Sequence, residues 1–418
     1  MFPLLEIFPL VLKQMLSFIV NPLFYLVVAL VALQYRRMLK LRQKFFGFEH
    51  GRWWPDALQA TGFGLLGGLL GSFLMLFVGL TLSGSGLQYI WPLAVLLMLI
   101  DARFLCFAYA GGILALSKII FGWPAVSVPQ VLGLVAILHM VESVLIYFSG
   151  HLGAVPAYIK VGANRLVGGF ALQRFWPIPV VALVVVGQGD LVQTGIEMPE
   201  WWPLIKPEIT AHRDTLIYSL FPVVAGLGYG DIAAARKPRE KSRLSAKYLA
   251  LYSVVLLILA VLSDRYTAVA LAAALFSPLG HEAVIYLNKK LELANKPIYV
   301  PAEQGVRVLD VVPGTAAWAA GLRSGDVILT FNGIPVYNKA YLEYMLQQNL
   351  GLAEISFTSG QRQLYRRELV NLTPGTPFGI LPVPEGGERS YMEFTGAGFL
   401  LKRWFRKLKR KLLEKINN

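Results

Sequence analysis

The sequence has few charged residues and only one cysteine in 418 residues. Charged side chains make up 15% of the chain, whereas about a quarter is usual for a water-soluble protein. The shortage is concentrated in residues 1–287, which predicts a membrane domain followed by a soluble module. The single cysteine, Cys106, excludes an internal disulfide and therefore a disulfide-stapled ectodomain.

Motifs of several enzyme classes are also missing. There is no P-loop, no G-x-S-x-G nucleophile elbow and no regular Cys/His metal spacing. An intramembrane zinc protease needs H-E-x-x-H, in which two histidines one helical turn apart bind the metal. His281 and Glu282 begin such a motif, but Ile285 occupies the second histidine position. The sequence therefore predicts a non-enzyme with no cofactor and no metal, and a protease relative is retained only as an inactive alternative.

Long apolar segments predict an α-helical polytopic membrane domain with eight or nine spans, since a span needs about 20 apolar residues. Two neighbouring segments, separated by Asp101 and Arg103, form either a tight hairpin or one re-entrant unit. The segments are 16–34, 57–81, 86–102, 104–121, 129–149, 168–187, 214–234, 248–263 and 267–286.

The charges of the connecting loops predict the orientation. Loops 35–56 and 235–247 each carry six basic residues and are expected in the cytoplasm, whereas loop 188–213 is predominantly acidic and is expected outside. With nine spans, this places everything after residue 287 in the cytoplasm. The net charge of +14 then indicates contact with anionic lipid rather than nucleic acid.

Residues 297–385 read as an α+β PDZ domain of the bacterial type. The stretch "GVRVLDVVPGTAAWAAGLRSGDVILTFNGIPV" (305–336) alternates strands with a short helix and tight turns in the order that such domains use. An amphipathic helix, "NKAYLEYMLQQNL" (338–350), follows.

The peptide-binding residues of this module are predicted from its glycine loop and its helix. Phe378, Gly379 and Ile380 have the apolar-Gly-apolar form of a loop that holds a terminal carboxylate by backbone N–H groups. The lead-in 299–305 is a second candidate for this loop. Tyr341 and Met345 are predicted to face the peptide, with a place in the hydrophobic core as the alternative.

Residues 386–418 are predicted to be a linker and a basic amphipathic tail helix that lies on anionic membrane. A solvated charged tail is the alternative. The predicted membrane-surface residues are Lys402, Arg403, Trp404, Arg406, Lys407, Lys409, Arg410 and Lys411.

Polar residues within or near the spans are candidates for a second site, because such groups are costly in a bilayer and usually face protein or a cavity. They suit a transporter or sensor, or they lie at the cytoplasmic interface. The candidates are His139, Glu142, Asp231, His281 and Glu282.

Several stretches together resemble the MinJ-like polytopic PDZ proteins of Gram-positive bacteria, which are cell-division topological determinants. They include "YRRMLKLR" (35–42), "RFLCFAYAGG" (103–112), "GLGYGDIA" (226–233) and "GHEAVIY" (280–286), followed by the PDZ pattern. The resemblance implies a plasma-membrane scaffold at septum and poles that bridges DivIVA-like and MinD-like partners. A transporter or sensor with a regulatory PDZ domain is the other alternative.

Overall fold

A computed structural model describes residues 2–161, 165–188, 196–207, 216–360, 364–386 and 388. The first part of the chain contains eight α-helices and three long strands among these residues. The helices are α1 (Leu4–Leu16), α2 (Pro22–Phe46), α3 (Trp54–Val78), α4 (Leu87–Met98), α5 (Phe107–Phe121), α6 (Val128–Ser149), α7 (Pro238–Ser263) and α8 (Thr267–Ala294).

Helix α2 shows how local sequence fixes an element that later reaches the site. The Asn21 side chain accepts a hydrogen bond from the Leu23 N–H at 2.9 Å, and Pro22 occupies the first helical position, where no N–H is needed. Gly47 ends the helix in the left-handed conformation, with φ 78°, which glycine adopts without steric cost. The chain therefore turns sharply after Phe46.

Five described helices are long and apolar enough to cross a membrane: α2, α3, α6, α7 and α8. Each overlaps one of the nine predicted spans, although α2 ends 12 residues later and α7 begins 10 residues earlier than predicted. Helices α4 and α5, with 12 and 15 residues, are shorter than a span and pack against each other as a hairpin. Asp101 begins the 3₁₀ turn between them, where its side chain accepts a hydrogen bond from the Arg103 N–H.

Two predicted helical spans, 168–187 and 214–234, are strands, so that part of the helical prediction is wrong. Strands β1 (Val155–Val161), β2 (Arg165–Gln188) and β3 (Leu216–Ala233) form one antiparallel sheet in the order β1-β2-β3. Pro177 and Pro179 of β2 would each break a helix, and its valines favour a strand. An apolar strand and an apolar helix have equally high hydropathy, so hydropathy alone does not distinguish them.

The glycine-rich face of α3 packs directly on β2. A Cβ at Gly64 would lie 2.1 Å from the carbonyl oxygen of Pro177, and one at Gly68 would lie 1.9 Å from that of Pro179. Gly67 faces Leu145 of α6 in the same way. The small residues of this face therefore let α3 approach both a strand and a helix closely.

A buried carboxylate fixes the junction of β3 with the last helix. Glu292 of α8 is 1% exposed and accepts hydrogen bonds from the backbone N–H groups of Ala234, Ala235 and Arg236. The Arg236 guanidinium also donates to Glu292 at 3.0 Å. Four hydrogen-bond donors stabilise this buried carboxylate, whereas a buried charge without such partners is strongly destabilising.

The C-terminal module has its own hydrophobic core. Its helices are α9 (Ala316–Ala319) and α10 (Lys339–Gln348), and its six-stranded sheet has the order β8-β7-β5-β4-β9, with β6 paired to β5. The strands are β4 (Val306–Val311), β5 (Val327–Phe331), β6 (Ile334–Pro335), β7 (Gly351–Thr358), β8 (Tyr365–Leu372) and β9 (Ile380–Pro382).

The module packs against the membrane domain through β4 and β9. Arg42 of α2 forms a 2.9 Å ion pair with Asp310, and the Tyr158 hydroxyl donates to the carbonyl oxygen of Pro382 at 3.1 Å. Leu309 and Leu381 belong to the core of the membrane domain. Burial raises the pKa of the Asp310 carboxyl, and the Arg42 guanidinium opposes that rise.

Candidate functional site

The candidate peptide site is a groove between β9 and α10. Strand β9 is an edge strand, since β4 is its only partner among the described strands. Asn338 caps the start of α10, since its side chain accepts a hydrogen bond from the Tyr341 N–H. The Lys339 N–H is shared between the two carboxylate oxygens of Glu385. An edge strand beside a helix is the arrangement that accepts an extended peptide as an additional strand.

Residues 378–380 form the loop at the start of β9. Gly379 has φ +89°, and a Cβ there would lie 2.2 Å from the Thr315 hydroxyl oxygen, so glycine is required. The Phe378 and Gly379 carbonyl oxygens accept hydrogen bonds from the N–H groups of Ala317 and Val312. These bonds hold the loop rigidly at one end of the groove.

The hydrogen bonds of β9 identify the backbone groups that face the groove. The Gly379 carbonyl and the Val383 N–H bond toward β4, so Ile380 and Pro382, which alternate with them, face the open edge. Ile380 offers both an N–H and a carbonyl there. Pro382 has no N–H, and its carbonyl already accepts from Tyr158. An added strand can therefore pair with Ile380 but hardly beyond it.

The groove is lined by residues of both walls and by two phenylalanines from the membrane domain. Phe46, at the end of α2, and Phe48, just after it, contribute to the lining beside Pro382. From the module the lining residues are Lys339, Leu342, Glu343, Leu346, Pro377, Phe378, Gly379, Ile380 and Pro382. The membrane domain thus closes one end of the groove.

The predicted loop lies in the groove, whereas the predicted helix residues do not. Phe378, Gly379 and Ile380 all line it. Met345 is 5% exposed in the module's core, and Tyr341 is half-buried against that core. Leu342 and Leu346 of the same helix line the groove, although Leu342, at 1% exposed, also belongs to the core. The periodicity identified the helix, but it did not show which apolar residues the core would take.

Two of the predicted intramembrane polar residues lie close to each other and to a cysteine. His139 of α6 and His281 of α8 have ring centroids 5.2 Å apart. The Cys106 Sγ lies 3.0 Å from the Nε2 of His139 and 3.6 Å from that of His281. The sequence analysis missed Cys106 as a member of this cluster, because it is far from both histidines along the chain.

The other polar candidates have different surroundings. Glu282 is bound by Arg103 at 2.8 Å and by the Tyr109 hydroxyl at 2.6 Å. Asp231 is paired at 3.0 Å with Lys241, a fully buried lysine of α7. Glu142 lies one turn after His139 on α6. The structure therefore does not gather the five predicted residues into one site, and the predicted tail residues 402–411 lie outside the described residues.

These features define a class of protein: a membrane protein with a PDZ domain. The family model for the PDZ domain matches residues 307–352, which contain β4, β5 and α10. The loop at 378–380 follows that match, so the strand that borders the groove comes from the end of the module. The prediction of a PDZ domain is confirmed.

Two curated proteins are similar to the chain. The cell division topological determinant MinJ of Bacillus subtilis is 27% identical over 230 residues, which cover 54% of this chain and 53% of MinJ. The putative serine protease HhoA of Synechocystis sp. is 41% identical over 54 residues, which cover 13% of this chain and 14% of HhoA. The chain thus matches about half the length of MinJ and a small part of HhoA. The chain is therefore similar to MinJ and contains a PDZ domain, as the sequence predicted.

Proposed function

We propose that the protein is a non-enzymatic membrane adaptor that recruits partner proteins through its PDZ groove during placement of the division site. The observation that carries this proposal is the groove between β9 and α10, which ends at the Gly379 loop and is fixed to a membrane domain. The division context comes from the similarity to MinJ, whose name describes a cell division determinant.

The groove fits a peptide with an apolar C-terminal residue. Its carboxylate would be held at residues 378–380, and its last side chain would enter between Leu346 and Phe378. A second pocket beyond Phe378 shares both residues and adds Leu350 and Leu372, so there is apolar space on both sides of the loop. The backbone of Ile380 would pair with the peptide next to its terminus.

The membrane domain would confine this groove to the bilayer plane and raise the effective concentration of membrane-bound partners. We propose a multi-pass arrangement with the basic loops 35–56 and 235–247, the PDZ domain and the C-terminal tail in the cytoplasm. The tail would bind anionic lipid. DivIVA-like and MinD-like proteins are the partner classes that we propose, and septum and poles are the proposed location.

Phe46 and Phe48 would regulate access to the groove. They line the same groove as Leu342 and Pro382, where the peptide would extend N-terminally from its last residue. A longer partner would have to displace them, which would weaken its binding and couple it to a movement at the end of α2. The Arg42–Asp310 ion pair would hold this closed arrangement in place.

Binding of a defined peptide to the full-length protein in detergent tests the groove. The probe is a fluorescein-labelled hexapeptide ending in Leu with a free carboxylate, and its C-terminal amide is the matched control. We expect fluorescence anisotropy to show saturable binding of the free acid and at least about tenfold weaker binding of the amide. Equal binding of the two peptides would contradict a carboxylate-binding groove.

A further inference from the structure

Three helices that are distant in sequence bring one thiol and two imidazoles to a single point. Cys106 precedes α5, His139 is in the middle of α6 and His281 is in α8. One donor atom from each, Sγ and the two Nε2 atoms, lies within 4.8 Å of the other two. We propose that these three side chains bind a divalent transition-metal ion, with Zn²⁺ as the best match.

The spacing of the donor atoms suits a tetrahedral zinc site. Zinc bonds of about 2.3 Å to sulfur and about 2.0–2.1 Å to nitrogen place neighbouring ligands about 3.3–3.6 Å apart. The observed Sγ–Nε2 distances of 3.0 and 3.6 Å require only small adjustments to reach that range. Thiolate and imidazole are the ligands that zinc prefers, whereas magnesium and calcium prefer oxygen.

In its neutral form, His139 has the tautomer that binds metal through Nε2. Its Nδ1 lies 2.7 Å from the carbonyl oxygen of Val135, and a carbonyl only accepts, so Nδ1 carries the proton. The Nε2 atom therefore presents its lone pair toward Cys106. A backbone carbonyl that accepts from the second ring nitrogen is the usual support for a metal-bound histidine.

Aromatic rings hold the two imidazoles in position. The Tyr252 ring packs edge-on against His139 and His281, at 5.6 and 5.7 Å between centroids, and its hydroxyl donates to the Ser277 carbonyl. Tyr109 packs against the other side of His281. The Nδ1 of His281 is buried without a hydrogen-bond partner among the described residues. The contact between the Nε2 of His281 and the Cys106 Sγ is therefore the polar contact that explains the orientation of the ring.

The cluster supplies three protein donors among the described residues, so one position of a tetrahedral site would be filled by another ligand. Glu282, the residue after His281, is bound by Arg103 and Tyr109 and is not available as a ligand. Three ligands and one open position are typical of zinc sites that bind a water molecule or another exchangeable ligand. The sequence contains no local metal motif, because the three ligands come from distant parts of the chain.

Metal content of the full-length protein tests the proposal. The protein is purified in detergent, treated with chelator, reloaded with Zn²⁺ or Co²⁺ and measured by inductively coupled plasma mass spectrometry. We expect about one ion per chain and, with Co²⁺, a sulfur-to-cobalt charge-transfer band. Changes to residues that only hydrogen-bond to a metal ligand weaken metal binding about 10–100-fold, so loss of a ligand in Cys106→Ser or His281→Gln should weaken it by more than about 100-fold.

Matched controls make the outcome decisive. His151→Gln changes a histidine outside the cluster and should leave metal content and the cobalt spectrum unchanged. Each variant is first checked for an unchanged elution volume in size-exclusion chromatography, and Cys106→Ala provides a second variant if the serine protein fails this check. Equal metal content in the wild type and both Cys106 variants would overturn the proposal, as would substoichiometric loading of the wild type. In that case the three side chains form only a hydrogen-bonded network.

Discussion

Replacing Phe48 with alanine should open the peptide groove. Phe48 lines the groove beside Pro382 and is half-buried. Complete burial of a phenylalanine contributes about 1.5–3 kcal/mol, so the half-buried ring contributes about 1 kcal/mol to the closed arrangement. If a peptide must displace this ring, its removal should tighten peptide binding by up to about fivefold.

The assay is fluorescence anisotropy with the labelled hexapeptide ending in Leu, on full-length protein in detergent. Leu41→Ala is the matched control, since Leu41 is an exposed apolar residue of α2, the helix that precedes Phe48, and it does not line the groove. We expect tighter binding for Phe48→Ala and unchanged binding for Leu41→Ala. Weaker binding by Phe48→Ala would show that the ring helps to hold the peptide, and this would refute the competition that we propose.

Three further substitutions test other parts of the account. Gly379→Ala places a side chain against Thr315 on a backbone in the left-handed conformation, so peptide affinity should fall at least about tenfold in the same anisotropy titration. Gly230→Ala changes a glycine with open space around it and should leave the peptide affinity unchanged. Arg42→Asp should increase hydrogen exchange in β9, and adding Asp310→Arg should restore protection; equal exchange in all three proteins would contradict the docking role of the ion pair. Glu292→Ala should lower the free energy of unfolding by about 3 kcal/mol, seen as a lower midpoint of thermal unfolding in detergent, and an unchanged midpoint would contradict the role of this buried carboxylate.

Composition was sufficient to predict a membrane domain, and the ordered turn and strand pattern of residues 305–336 predicted the PDZ module, but neither predicted the fold of every apolar segment. Hydropathy measures whether a segment avoids water and does not report its backbone conformation. The proline spacing at Pro177 and Pro179, together with the valines that follow, was the available signal for a strand. Taken into account, this proline and valine pattern indicates a helical domain interrupted by a long β-hairpin.

The predicted site residues also differ in how far the local sequence identifies them. The Gly379 loop was found because its chemistry is local: one glycine between two apolar residues. The residues of α10 that line the groove are Leu342 and Leu346, each one position after the predicted Tyr341 and Met345. The sequence did not separate the two pairs, because all four residues are apolar enough for the core. The Cys106 cluster could not be read from spacing, since it exists only after three helices have packed together.

The localisation of the protein in dividing host cells tests the central claim most directly. The measurement compares fluorescent C-terminal fusions of the wild type, of Gly379→Ala and of Gly230→Ala, each at equal membrane abundance. An adaptor that recruits partners through its groove predicts enrichment of the wild type and of Gly230→Ala at septa and poles, with the partner protein lost from these sites in the Gly379→Ala strain. A uniform membrane signal for the wild type would contradict the division role, and unchanged partner recruitment in Gly379→Ala would contradict the role of the PDZ groove.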